Sequence, residues 1–399
     1  MGIKQRIACV SGRIFLAAAF IFGAGLIHPV DTDAADEIVI GNSALLTGVF
    51  GFAGVHAHRA NQDFMARLNE QGGIHGREVL YVYEDTAYRT DASVAVFNRL
   101  TSQYNISAYY GDSTGFQKLI NEELNRRGDI LMAGTSFASE INDPEAFPYQ
   151  FMTGPDYGEQ IAILLRYIAE TKPDARVVFV FSDTEFGRDP IPKNEAFAKT
   201  LGLTVAGKIT TPPGNVDVSR NVLQLRRMNP DYVIFQGYVL DPVPEFIQQS
   251  RQMGLETRFM GTFWSMDKAV IMQMGELADG YMGVMPYNYY DDPTAEGWAM
   301  DAIRKQYGDQ YQPTFYLQNY LTMMLFTEAI KRTLDADEPL TAKNMKKHLN
   351  TLEDFDTGGI IGVPITLSGN SIPVGRVYQA DIAEGRMVPV SDWMDLRDY

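Results

Sequence analysis

From Glu37 onward, short apolar runs rich in β-branched and aromatic residues alternate with stretches whose apolar residues recur every three or four positions. The first pair sets the pattern. "EIVIGNSAL" reads as a strand, and "HRANQDFMARLNEQ" as a helix with Ala60, Phe64 and Leu68 at i, i+4 and i+8 on one face. "REVLYVYED", "ISAYYG" and "DILMAGT" read as further strands, separated by helical "DASVAVFNRLTSQY" and "GFQKLINEELNRRG". A second run of the same kind starts at Tyr157. Its strands are "RVVFVFS", "TVAGKITT", "DYVIFQG", "TRFMGTF" and "GYMGVMPY", with a helical pattern between each pair, the last being "DKAVIMQMGELA". Beyond Asp291 the pattern is mainly helical ("TAEGWAMDAIRKQYG", "FYLQNYLTMMLFTEAIKRTL", "TAKNMKKHLNTL"), and the stretch from Gly358 to Val390 alternates and turns like hairpins.

Strands that alternate with helices form parallel sheets covered on both faces. Two such runs predict an α/β protein of two doubly wound, Rossmann-like lobes, and 399 residues suffice for two cores. Ligands of open α/β sheets bind beyond the carboxyl ends of the strands. With two lobes, those ends can face one another across a cleft.

The amino end changes the picture of where the protein works. Lys4, Arg6 and Arg13 precede an apolar run from Ile14 to Ile27, followed by small residues at Ala34 and Ala35. Roughly 14 apolar residues fall short of the ~20 a spanning helix needs. The pattern predicts a signal peptide over residues 1–35, cleaved near Ala34/Ala35, and a periplasmic protein. Cys9, the only cysteine, lies in that leader, so the mature chain has no disulfide, thiolate metal site or cysteine nucleophile. The formal charge of -16 becomes one unit more negative without the leader, which holds three basic and two acidic residues. Such a surface argues against nucleic acid and anionic membrane as partners.

Two patterns suggest catalysis or metal binding. Gly111-Asp112-Ser113-Thr114-Gly115 fits the G-x-S-x-G nucleophile elbow, with a strand before it and a helix after it. An elbow serine needs a histidine to accept its proton, in the chain order Ser, acid, His. Only His348 follows Ser113, and it lies in "KNMKKHLN", which reads as a solvated face. An esterase is therefore the remote alternative. His56 and His58, at i and i+2, point to different sides of a helix and make a poor metal pair. Asp291 and Asp292 precede Pro293 where acids favour a helix dipole. No catalytic residue, metal or cofactor is expected.

Several stretches resemble the periplasmic solute-binding proteins of the branched-chain amino acid (Leu/Ile/Val-binding) ABC transporter family: "IVIGNSALLTGVFGFAG", "GDSTGF", "DILMAGTSFASEI", "FMTGPDYGEQ", "DYVIFQGYVLDPVPEFIQQSRQMGL" and "DTGGIIGVPITLSGN". The resemblance covers the chain after the leader. It implies the type I periplasmic-binding fold, with two lobes joined by three crossing hinge segments. The boundaries it implies are 36–153 plus about 286–370 for lobe 1 and 154–285 plus about 371–399 for lobe 2. It also implies a non-catalytic, monomeric receptor that delivers a solute to an ABC permease and ATPase complex in the inner membrane. The alternative is a ligand-sensing receptor for a membrane signalling partner.

In that family two loops of the first lobe hold the solute carboxylate, and the matching positions here carry Ser113, Thr114, Gly115, Thr135 and Ser136. Free N–H groups at a helix start and short hydroxyl side chains make an anion site on physical grounds as well. Capping is the other thing such residues do. The family's second-lobe acid, which pairs a solute ammonium, has no counterpart: "MGTFWSMD" offers Thr262, Phe263 and Trp264, and no carboxylate before Asp267. A buried ammonium without counter-charge costs about 3–5 kcal/mol. That favours a hydrophobic or aromatic acid over a hydrophobic amino acid. Tyr157, Tyr238 and Trp264 match family contact positions. Phe52 and Phe263 follow as further apolar candidates.

Overall fold

The computed structural model describes residues 37–212, 214 and 216–397. The expected signal peptide lies outside them.

The first run of the chain gives β1 (Ile38–Ala44), α1 (Gly51–Glu70), β2 (Val79–Asp85), α2 (Thr90–Gln103), β3 (Ile106–Gly111), α3 (Thr114–Leu119), α4 (Asn121–Arg127) and β4 (Leu131–Gly134). Its strands form a parallel sheet in the order β2-β1-β3-β4. β1 is buried at all seven positions, as expected of a strand covered on both faces.

The second run gives α5 (Tyr157–Thr171), β5 (Arg176–Ser182), α6 (Glu185–Arg188), α7 (Ile191–Thr200), β6 (Thr204–Thr211), α8 (Ser219–Met228), β7 (Tyr232–Gln236), α9 (Val243–Gln252), β8 (Arg258–Gly261), α10 (Lys268–Ile271) and β9 (Met282–Met285). The remainder gives α11 (Trp298–Tyr307), α12 (Thr314–Asp335), α13 (Ala342–Leu349), β10 (Val374–Asp381), β11 (Arg386–Pro389) and β12 (Met394–Asp395). The second sheet runs β11-β10-β9-β8-β7-β5-β6, with β12 paired to β10. β5 to β9 pair in parallel; β10 and β11 close the edge as an antiparallel hairpin.

Three segments pass between the two lobes and meet one another. Met152 N–H donates to Asn370 O (2.6 Å), Ile372 N–H to Gly154 O (3.2 Å), and the Tyr287 hydroxyl to Thr153 O (3.1 Å). Just beyond this crossing, Asp156 and Glu159 form a capping box that starts α5: Glu159 N–H donates to the Asp156 side chain (2.8 Å) and Asp156 N–H to Glu159 Oε2 (2.7 Å). α12, the longest helix among the described residues, is buried over most of its length and lies along α1 of the first lobe.

Four local readings are corrected. "DKAVIMQMGELA" is not one helix: α10 gives way to 3-10 turns over Met272–Ala278, broken where Gly275 takes φ 57°. "GFQKLINEELNRRG" splits into α3 and α4 at Ile120. No helix begins at Pro293, since α11 starts only after Gly297 at φ 150°. Asp292 instead binds Thr294 N–H (2.8 Å), and Asp291 pairs with Lys268. Finally, α13 is not wholly solvated, because Lys346 is buried and donates to Asn350 Oδ1 (2.6 Å).

Candidate functional site

The strand ends that face each other build the site. Leu45 follows β1, Asp112 and Thr114 follow β3, and Thr135 follows β4; from the second sheet, Phe186 follows β5, Val239 follows β7 and Trp264 follows β8. Together with Phe50, Tyr88, Tyr157 and the first turns of α1 and α12, they line a cavity with about 550 Å³ of empty space, part of it open to solvent. Its mostly apolar lining, at the opposed strand ends of two lobes, suits a small organic solute.

The loops are held by dense local bonding. Ser113 caps α3, accepting from Phe116 N–H (3.3 Å), and its hydroxyl donates to Asp112 Oδ1 (3.2 Å). Thr114 and Ser136 share a hydroxyl pair at 2.9 Å. Thr135 N–H donates to Gly111 O (3.0 Å) and Ser136 N–H to Gln117 Oε1 (3.0 Å). The N–H groups of the second loop are thus engaged within the protein, leaving the side chains of Thr114 and Thr135 as the hydroxyls on the cavity wall. Asp85 knots the rim: Oδ1 accepts from the N–H groups of Leu46 (2.9 Å), Thr47 (3.2 Å) and Ala87 (3.1 Å). This holds Ala87 and Tyr88 at φ 51° and 63°, a left-handed pair that non-glycine residues adopt at a cost. The Tyr88 ring then meets Phe50 edge-on at 4.4 Å.

Across the cavity, Trp264 stacks on Phe315 of α12 (5.5 Å, 20°), and its Nε1–H donates to the Tyr157 hydroxyl (3.3 Å). Burial pushes the Tyr157 hydroxyl well above its ordinary pKa, so it stays protonated. Asp267, at the end of the same loop, is fully buried and accepts from Thr314 N–H (2.6 Å) and Thr314 Oγ1 (2.8 Å). It caps the start of α12 and so does not serve as the second-lobe acid of the cavity.

Of the residues singled out in the sequence, Thr114, Thr135, Tyr157 and Trp264 line the cavity together. The others do not. Ser113 and Ser136 are buried behind the wall and Gly115 is exposed outside it; Tyr238 donates or accepts at Thr211 Oγ1 (2.8 Å) while its neighbour Val239 lines the cavity; Phe263 is buried against Phe137 and Phe315; and Phe52 is 48% exposed, with Phe50 and Ala53 lining instead. Sequence reading missed Phe50, Tyr88, Asp112, Phe186, Phe315, Gln318 and Asn319. Asp112 lay inside the quoted loop and had a signal, being an acid in an otherwise apolar and hydroxyl-bearing stretch. The residues of α12 had none, since nothing local says that this helix ends at the cleft. His348, the only base left to the elbow, hydrogen-bonds Glu338 (3.0 Å).

Two facing doubly wound sheets, with a cavity at their opposed carboxyl ends and three strands of chain between them, define a two-lobed solute receptor. The profile of the family described as Periplasmic binding protein matches residues 37–386, and the chain belongs to that family. The chain is 22% identical over 373 residues to the Leu/Ile/Val-binding protein homolog 8 of Brucella melitensis, covering 90% of this chain and 91% of that one. It shares its fold with a branched chain amino acid ABC transporter protein from Thermus thermophilus with bound valine (TM-score 0.79, 22% identity, 90% and 97% covered). It also shares it with a solute binding protein of an ABC transporter from Rhodopseudomonas palustris BisB5 in complex with 3,4-dihydroxy benzoic acid (TM-score 0.73, 16% identity, 90% and 98% covered).

Proposed function

We propose that the protein is the extracytoplasmic receptor of an ABC importer, acting as a monomer in the periplasm. Its solute is a small acid with an apolar or aromatic body, bound between the lobes and passed to a permease and ATPase complex. The observation that carries this reading is the cavity's division into hydroxyl-bearing strand ends on one side and Tyr157, Phe186, Val239 and Trp264 on the other. Thr114 and Thr135 receive the carboxylate, and the rings enclose the body. The relatives support both halves of the solute class, since one is named for aliphatic amino acids and another structure holds an aromatic acid.

Thermal-shift and calorimetric titration of the mature protein with apolar amino acids and with aliphatic and aromatic carboxylates test it. At least one acid should stabilise saturably, by about 2.7 kcal/mol at a hundredfold excess over Kd. Methyl esters of the same acids should not. Ester hydrolysis abolished by Ser113→Ala would overturn the reading in favour of a hydrolase.

A further inference from the structure

The crossing segments meet beside two acids. Asp156 and Glu159 are both buried in the first turn of α5, and both accept from one nitrogen: Asn142 Nδ2 lies 2.8 Å from Asp156 Oδ2 and 3.3 Å from Glu159 Oε1. Asn142 belongs to the 3-10 turn Ser139–Asn142 of the first lobe, and its Oδ1 accepts from Asn370 N–H (3.0 Å) in another crossing segment. Ser371 of that segment reaches Glu159 Oε1 (3.1 Å). The same 3-10 turn touches the second lobe again, where Ser139 N–H donates to Asp189 Oδ2 (2.9 Å) between α6 and α7. One turn of the first lobe thus rests on three carboxylates of the second.

Two carboxylates that share one amide out of water cannot both stay charged without a large penalty. The charges around them do not balance the pair. Lys193 of α7 acts on both, Asp189 adds a third acid, and Glu140 in the 3-10 turn is paired with Lys118 (2.9 Å). Arg188 is paired with Asp183, and Lys346 of α13 donates to Gly369 O (3.4 Å) beside the crossing, while residues 369–373 carry no charge themselves. The hydrogen count points the same way. Ser371 Oγ has two acceptors beside it, Glu159 Oε1 and Ser368 O (3.4 Å), and one hydrogen to give. A proton on Glu159 supplies the second bond. Burial, and after it the Asp156 charge, push the Glu159 carboxyl up to about 8.

We propose that Asp156 and Glu159 form a proton switch in the hinge: the proton they share holds the 3-10 turn of the first lobe against α5, and its loss releases the turn and lets the lobes part. The inference rests on the receptor reading for the motion it controls. Releasing the turn admits water to the pair and returns Glu159 toward its ordinary range, so the closed arrangement binds more protons than the open one. Closure is therefore favoured at low pH, weakens as pH rises toward about 8, and is insensitive to pH beyond it.

Residues 36–399 contain no cysteine, so spin labels at Leu119→Cys on α3 and Leu223→Cys on α8, both exposed, can report the distance between the lobes in the solute-free mature protein. Double electron–electron resonance should show the ratio of closed to open forms falling at least about tenfold from about pH 6 to about pH 8, and changing little above that. Glu159→Gln keeps the capping box and places an amide where the proton sat, so its ratio should stay within about threefold over the same range. Asp156→Asn keeps the cap and removes the neighbouring charge, and should move the transition to lower pH, a shift that a merely structural pair would not show. A wild-type ratio independent of pH overturns the inference. So does a Glu159→Gln variant that follows pH as the wild type does, or an Asp156→Asn transition that stays in place. Each of these results leaves the receptor reading standing, since that reading falls only if no acid in the solute panel stabilises the protein.

Discussion

The two walls of the cavity are built differently. The first-lobe wall is a network: Asp112, Ser113, Thr114 and Ser136 hold one another, and a left-handed turn pinned by Asp85 frames them. The second-lobe wall is a set of rings resting on α12 and on each other, with Trp264 Nε1–H donating to the Tyr157 hydroxyl. Networks fix direction, because each donor has one acceptor. Rings supply contact area and tolerate variation in what they cover. The contrast assigns orientation of the solute's polar head to the first lobe and most of the affinity for its body to the second.

The largest expected effect falls where the two walls are joined. Asp267→Ala leaves the N–H and hydroxyl of Thr314 without their buried acceptor, and should cost about 3 kcal/mol in chemical denaturation. Solute affinity should fall with it, because Phe315, Gln318 and Asn319 occupy the turn it caps. Next in size, Trp264→Ala removes a ring that lies on Phe315. It should weaken every apolar solute by about 2–3 kcal/mol, whatever its head group, as read by calorimetry. If that loss depended instead on the head group, the division between walls would be wrong.

Thr135→Val is the complementary change. It should cost about 1 kcal/mol, seen with the acid and absent with its neutral amide. The smallest effect concerns the rim, where Lys118 of α3 pairs with Glu140 of its own lobe (2.9 Å) and, across the cleft, with Glu185 of α6 (3.2 Å). Both acids are well exposed, so Lys118→Ala should change affinity by less than about 1 kcal/mol, and the difference should vanish in high salt. A larger effect, persisting in salt, would make the rim a third component.

Why some of this was legible in the sequence follows from which interactions are local. β1 and α1 announce themselves because burial on both faces of a strand and one face of a helix imposes periods visible in a dozen residues. The strand ends bearing Thr114, Thr135 and Trp264 follow from the same periods, since parallel sheets present those ends to ligands. Ser113 was not decidable in the sequence, because a capping hydroxyl and a ligand hydroxyl look alike until a partner is known, and in the structure Phe116 N–H donates to it. Phe315, Gln318 and Asn319 lie some 180 residues beyond the strands whose cavity they line, and only tertiary packing brings them there. Phe52 and Phe50 differ by two positions at the mouth of α1, which the chain resolves by turning one ring out and the other in.

The contact between Asp267 and Thr314 bears on how such a receptor can be altered. The loop that carries Trp264 and the helix that carries Phe315 are remote in sequence, yet one side chain of the former terminates the latter. A specificity loop grafted here without an acid at position 267 would leave the start of α12 uncapped and loosen the opposite lobe. Retargeting therefore has to treat residues 262–267 and the opening turn of α12 as a single cassette, exchanged together or not at all.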